Sequence, residues 1–166
     1  MKAGSFALSL GGNLGDVMGA LQRCADSISS DKRVSQLRVS PVYETPPWGN
    51  VKGGEFLNAA VSGCWSGSDT ELLEFCRSLE AREGSPVRKL GLERPLDVDI
   101  LFLQGGVSRP ELELPHSRMS LRKFVLVPLS DVWEEEIPGL GKTPAELLSH
   151  VNDSSSIIFK GTLNGY

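Results

Sequence analysis

The chain has 166 residues, 40% of them apolar and 23% charged, with 17 Lys and Arg against 21 Asp and Glu for a net charge of -4. That length suits a single domain, residues 1–166, with enough apolar material for a core. The acid excess argues against a protein that coats nucleic acid or an acidic membrane, and no apolar run reaches the ~20 residues that cross a bilayer.

Phe6 to Leu10 reads as a strand entering a glycine-rich turn, Gly11-Gly12-Asn13-Leu14-Gly15. After Asp16, a plausible cap by residue type, Val17, Leu21, Cys24 and Ile28 recur at helical spacing. A second strand runs from Leu37 to Tyr43, with Pro41 marking an edge or bulge. Thr45 to Gly54 is a proline- and glycine-rich loop of a size that is more often functional than idle. A third strand begins at Phe56 and ends near Trp65. Ser68 and Glu71 then form a capping-box pair ahead of Leu72, Leu73, Phe75, Cys76 and Leu79, a helix that stops at Gly84-Ser85-Pro86. Leu96 to Leu103 is the clearest strand, and a hairpin through Gly105-Gly106 is expected to lead into Arg109–Pro115. Phe124 to Leu129 is a buried segment whose Pro128 disfavours an uncomplicated helix or a central strand. Thr143-Pro144-Ala145-Glu146 carries the signals of another helix start, and Ile157 to Gly161 closes with a last strand. The order strand, helix, strand, strand, helix, strand predicts an α+β, ferredoxin-like fold, a mainly antiparallel sheet flanked by helices in three α/β/α layers.

Cys24, Cys64 and Cys76 are widely spaced, odd in number and set in apolar sequence, which points to reduced core thiols. The first residues lead straight into a strand with no signal-peptide pattern, so a cytoplasmic location is expected.

The sharpest chemical feature is Asp97-Val98-Asp99. Residues two apart on a strand leave the same face, with their bases about 7 Å apart. Two carboxylates entering a half-buried face repel unless a cation sits between them. A pair of Mg2+ ions bridging to phosphates answers that need, as would ion pairs with neighbouring arginines. Between residues 82 and 123 eight Lys and Arg accompany six acids, a local balance opposite to that of the whole chain. This surrounding suits a polyphosphate ligand. The Gly11–Gly15 segment fits neither the dinucleotide fingerprint nor a P-loop, and reads as a tight turn. His150 has no chemical neighbour in sequence, whereas His116 lies beside several cations and could donate to a phosphate.

These segments together resemble the 6-hydroxymethyl-7,8-dihydropterin pyrophosphokinase family of folate biosynthesis. The resemblance runs in order through residues 9–16, 40–49, 56–61, 94–101, 114–119 and 122–129. It implies an Mg2+-dependent enzyme that moves pyrophosphate from ATP to the hydroxymethyl oxygen of the dihydropterin, leaving AMP. It implies that Asp97 and Asp99 hold two Mg2+ ions, with Arg88 and Arg94 also catalytic. Thr45, Pro46, Trp48, Phe56, Asn58, Asp97 and Phe124 are then the pterin residues. Glu80, Arg88, Arg94, Asp97, Asp99, Ile100, His116 and Arg122 are those of ATP. The partners implied are the two small substrates, without nucleic acid or membrane, and the protein is expected to be a monomer or weak dimer. Ser85 stands where many relatives have arginine, and Glu111 where some do.

Overall fold

The computed structural model describes residues 2–46, 54–85 and 93–166. Chain order is β1 (Gly4–Gly12), α1 (Val17–Ser30), β2 (Val34–Val39), β3 (Val42–Thr45), β4 (Phe56–Trp65), α2 (Asp69–Arg82), β5 (Asp97–Leu103), a 3-10 turn at Met119–Leu121, α3 (Lys123–Val132), α4 (Pro144–His150) and β6 (Ile158–Gly161). The strands form one antiparallel sheet in the order β5-β1-β4-β3-β6, with β2 also paired to β4. The expected α+β, ferredoxin-like architecture is what the chain adopts.

The helices begin where the caps predict. The Asp16 carboxylate accepts from the Gly19 amide at 3.0 Å at the start of α1. Ser68 and Glu71 complete a reciprocal capping box on α2, and Thr143 and Glu146 do the same on α4. Strand alternation then sorts the apolar residues between two cores. Phe6, Leu8 and Leu10 of β1 point with Ala59 and Val61 of β4 toward Leu21, Cys24, Ile28, Leu72 and Leu79 of α1 and α2. Ala7 and Ala60 face the other way, against Val125, Leu129 and Val132 of α3 and Leu147 of α4.

Four local expectations are corrected. Gly11 and Gly12 belong to β1 rather than to a turn, because both remain paired to β4. The predicted strand over 37–43 is two strands parted at Ser40-Pro41. Pro41 has no amide hydrogen, and Ser40 turns its hydroxyl to accept from the Ala60 amide at 2.8 Å while its own amide donates to Ala60 O at 2.9 Å. A turn does follow β5, with Gly105 at φ 81°, but no hairpin partner strand forms. Pro110 lacks an amide hydrogen, the Arg109 guanidinium is drawn to Asp69 at 3.0 Å and Thr70 at 3.0 Å at the start of α2, and the Arg109 backbone forms an isolated bridge with Leu112. Finally, α3 continues through Pro128. Proline inside a helix costs about 3 kcal/mol, whereas each fully buried Val or Leu on that face returns about 1.5–3 kcal/mol, and Val125, Leu126, Leu129 and Val132 are all buried.

One further irregularity lies in β5. Ala7 is opposite Phe102 and Leu8 opposite Ile100, so Leu101 is an extra residue without a partner on β1. Strict alternation would place Phe102 with Val98 and Ile100, and Leu103 with Leu101. Instead Leu101 and Phe102 both join the α3 side, and Leu103 returns to the α1/α2 side.

Among the described residues no helix is long and apolar enough to cross a membrane. Cys24, Cys64 and Cys76 form no disulfide among the described residues; Cys24 and Cys76 are buried and Cys64 half-buried. Burial pushes the Cys24 thiol up to about 12, with Glu83 and Glu80 adding to it.

Candidate active site

The register brings separated residues into one row across the sheet. Gly11 on β1 is opposite Asp97 on β5 and Asn58 on β4, and Asn58 is opposite Tyr43 on β3. One step along, Ser9 is opposite Asp99 and Ala60. Cross-strand partners share a face, so both carboxylates and Asn58 stand on the α3 side. Gly11 lies between Asp97 and Asn58 and contributes no side chain. A Cβ there would be only 2.9 Å from Asn58 Oδ1. The result is a shallow trough with backbone for its floor and polar groups at both ends.

Asn58 is 3% exposed. Its Nδ2 donates to Thr45 Oγ1 at 2.7 Å, which sets the amide with Oδ1 toward Gly11. Thr45 is itself buried at the end of β3, and Pro46 follows it exposed. Phe56 shares the face of Asn58 by strand alternation and is half-buried. Phe124, in the first turn of α3, is half-buried and packs against the second core. Two aromatic side chains therefore stand on the trough side of the sheet. The Arg122 guanidinium lies 5.7 Å from the Phe124 ring centre, and its Nε is buried without a hydrogen-bond partner among the described residues. Burial holds that guanidinium below its ordinary value; Asp99 pulls it back up, Arg118 adds to the lowering, and Asp97 also pulls it up.

Arg94 is 8% exposed. Its guanidinium is flanked by Glu80, at 3.8 Å from Nη2, and by Asp97, at 3.5 Å from Nε. Glu80 Oε1 in turn accepts from the Val98 amide at 2.8 Å, tying the end of α2 to the start of β5. The carboxylates are thus attached to a helix as well as to a sheet.

A cleft of about 700 Å3 opens along the β5 edge of the sheet. Glu80, Asp99, Ile100 and His116 line it together, and Leu73, Arg77, Pro110 and Leu112 add to its walls. The His116 amide donates to Leu101 O at 2.8 Å, which fastens this wall to β5. His116 Nδ1 accepts from the Arg118 amide at 3.2 Å, so the neutral imidazole carries its hydrogen on Nε2. Trough and cleft meet at Asp97 and Asp99.

Of the expected site residues, Thr45, Phe56, Asn58, Asp97 and Phe124 gather at the trough, and Glu80, Asp99, Ile100 and His116 at the cleft. Arg94 and Arg122 stand near the carboxylates where the two meet. Trp48 and Arg88 lie outside the described residues. The cation surplus of residues 82–123 is smaller in practice, because Arg109 is paired with Asp69 and Glu111 and Lys123 Nζ donates to Ser155 O at 3.1 Å. Apart from Glu80, sequence reasoning missed the α2 wall of the cleft. Its signal was present, since residues 73, 76, 77 and 80 repeat at one-face helical spacing, yet the apolar members read simply as core. Gly11 was also missed, because a glycine within a strand looks like the start of a turn.

The donor set suits Mg2+. Among the described residues no group of three or more His, Cys, Asp or Glu is placed to hold a metal ion. Two carboxylates completed by substrate phosphates and water is the usual protein share for this ion.

Comparison with known proteins gives a consistent answer. The sequence model of the family described as 7,8-dihydro-6-hydroxymethylpterin-pyrophosphokinase matches residues 7–134. A Methylorubrum extorquens protein named 2-amino-4-hydroxy-6-hydroxymethyldihydropteridine pyrophosphokinase is 36% identical over 153 residues, covering 89% of this chain and 93% of the relative. Proteins of the same name from Porphyromonas gingivalis, 39% identical over 131 residues, and Bacillus subtilis, 33% identical over 129, cover 75% and 77% of this chain and 88% and 77% of their own lengths.

Proposed function

The chain belongs to the 7,8-dihydro-6-hydroxymethylpterin-pyrophosphokinase family, and from that premise we propose how its residues divide the work of pyrophosphoryl transfer. The reaction passes pyrophosphate from ATP to the hydroxymethyl oxygen of the dihydropterin, giving the pterin diphosphate and AMP in folate biosynthesis. The observation that carries the assignment is the shared row: Asp97 and Asn58 on one face with only Gly11 between them.

The flat dihydropterin lies in the trough between Phe56 and Phe124. Asn58 Oδ1 accepts from its ring edge, the Thr45 hydroxyl keeps that amide in place, and the backbone at Thr45, with Pro46 and Trp48, completes the edge contacts. Adenosine occupies the β5 cleft against Leu73, Ile100 and Leu112, and Glu80 holds the cleft wall to the strand. His116 Nε2, Arg122 and Arg94 donate to the triphosphate, with Arg88 as a further contact. Asp97 and Asp99 would hold two Mg2+ ions shared with the phosphates, which would neutralise charge as the hydroxyl oxygen attacks the β phosphorus. Asp97, on the trough side, is placed to accept the hydroxyl proton. Closing such a site excludes water that would otherwise hydrolyse ATP. Residues 1–166 act in this reading as a single catalytic unit in the cytoplasm, monomeric or weakly dimeric, without nucleic acid or membrane partners.

The test is incubation with ATP, Mg2+ and the hydroxymethyl dihydropterin, with separation of the nucleotides. AMP is expected, its formation abolished by chelation and reduced at least 1,000-fold in Asp97→Asn and Asp99→Asn, whose unfolding midpoints stay near wild type. ADP as the product, or wild-type turnover in either variant, overturns the assignment.

A further inference from the structure

The Gly12-Asn13 pair performs a task that a turn does not need. Asn13 forms a closed pair of hydrogen bonds with Arg94: the Arg94 amide donates to Asn13 Oδ1 at 2.9 Å, and the Asn13 amide donates to Arg94 O at 2.9 Å. Gly12 allows that approach, since a Cβ on it would sit 2.5 Å from Pro95 O and 3.1 Å from Arg94 O. Two residues on, the Ser85 hydroxyl makes a similar double contact, donating to Leu96 O at 2.5 Å and accepting from the Leu96 amide at 3.1 Å. The four-residue stem 93–96 ahead of β5 is therefore held from β1 on one side and from the end of α2 on the other.

Between these anchors the Arg94 side chain runs to Glu80 and Asp97. We infer that Asn13, admitted by Gly12, is a positioning residue for catalysis: it fixes the Arg94 backbone so that the guanidinium meets the transferring phosphates. This deepens the functional reading above and rests on it. The physical basis is that a displacement of about 1 Å at a reacting group costs up to ~100-fold in rate, while remote binding contacts are unaffected.

The experiment compares Asn13→Ala, Asn13→Asp, Arg94→Ala and the Asn13→Ala/Arg94→Ala double variant in the full chain, with NMR hydrogen exchange at the Arg94 amide. Asn13→Ala is expected to lower kcat about tenfold, with KM for both substrates within about twofold of wild type. Asn13→Asp keeps the acceptor and is expected within about threefold of wild type. The double variant should turn over no more slowly than Arg94→Ala alone, because Asn13 acts through Arg94. The Arg94 amide should exchange at least tenfold faster in Asn13→Ala and remain protected in Asn13→Asp. Wild-type kcat in Asn13→Ala beside lost turnover in Arg94→Ala overturns the anchoring alone, as does an additive double variant or unchanged protection at Arg94. Full turnover in Arg94→Ala overturns the reading of Arg94 in the site, and this inference with it.

Discussion

Gly11 acts through the atoms it lacks. Its place between Asp97 and Asn58 means that one added methyl would meet Asn58 Oδ1 and push the amide out of its setting on Thr45. Gly11→Ala is expected to weaken dihydropterin binding about tenfold and leave nucleotide binding unchanged, as titration calorimetry with each ligand separately would show. Asn58→Ala removes the acceptor altogether and should weaken the dihydropterin by about 1–3 kcal/mol, roughly 5- to 150-fold. The two tyrosines offer a measurement independent of activity. Burial, then the hydrogen bond to Asp131, pushes Tyr43 up to about 12, and burial with Asp26 raises Tyr166 as well. Ultraviolet titration of the folded protein should show phenolate formation displaced above pH 10, with Tyr43 titrating near 12. Because the folded values lie above the unfolded one, stability falls as pH rises past about 10. At this scale the sequence announced the chemistry of Asp97, Asp99 and Asn58, since carboxylates and an amide in apolar strands need partners. It could not announce Gly11 or Asn13, whose roles exist only once other strands arrive.

The helices were legible because their signals are local. Ser68 and Glu71 satisfy each other's backbone within four residues, so the start of α2 could be read directly. Ser68→Ala is expected to cost about 1 kcal/mol, seen as a lower thermal midpoint, with kcat unchanged. The elements that differed from expectation were decided at long range. Ser40 keeps its place beside Ala60 only because β4 is there to bond it. The segment after Gly105 leaves β5 because Asp69, some 40 residues earlier, offers Arg109 a carboxylate. Pro128 sits inside α3 because the sheet face beneath supplies more burial than one lost hydrogen bond removes. Each of these depends on a partner that no window of the chain contains.

For the whole molecule, the net charge of -4 hides a set of carboxylates tied into the fold. The Asp31 carboxyl is held below its usual range chiefly by the Arg33 hydrogen bond, Asp69 by the Val107 amide, Glu71 by the Ser68 amide and Glu83 by Arg23. Depressed folded values mean that the unfolded chain binds more protons as the pH drops below about 4. The stability they contribute is present at neutral pH and lost on acidification through the folded values. Urea unfolding from pH 7 to pH 2 should show a midpoint that declines below about pH 4 and not between 5 and 7. The layered fold was readable from the order of its segments, whereas the meeting of trough and cleft at one strand was not, because it depends on β5 lying at the edge of the sheet. That strand also carries the unpaired Leu101, which works as a slip joint. Upstream of it Asp97 and Asp99 line up with Gly11 and Ser9 of β1, and downstream the strand is set by the core. The extra residue lets Phe102 and Leu103 fill opposite cores while Asp97 and Asp99 keep the face set by Gly11 and Ser9.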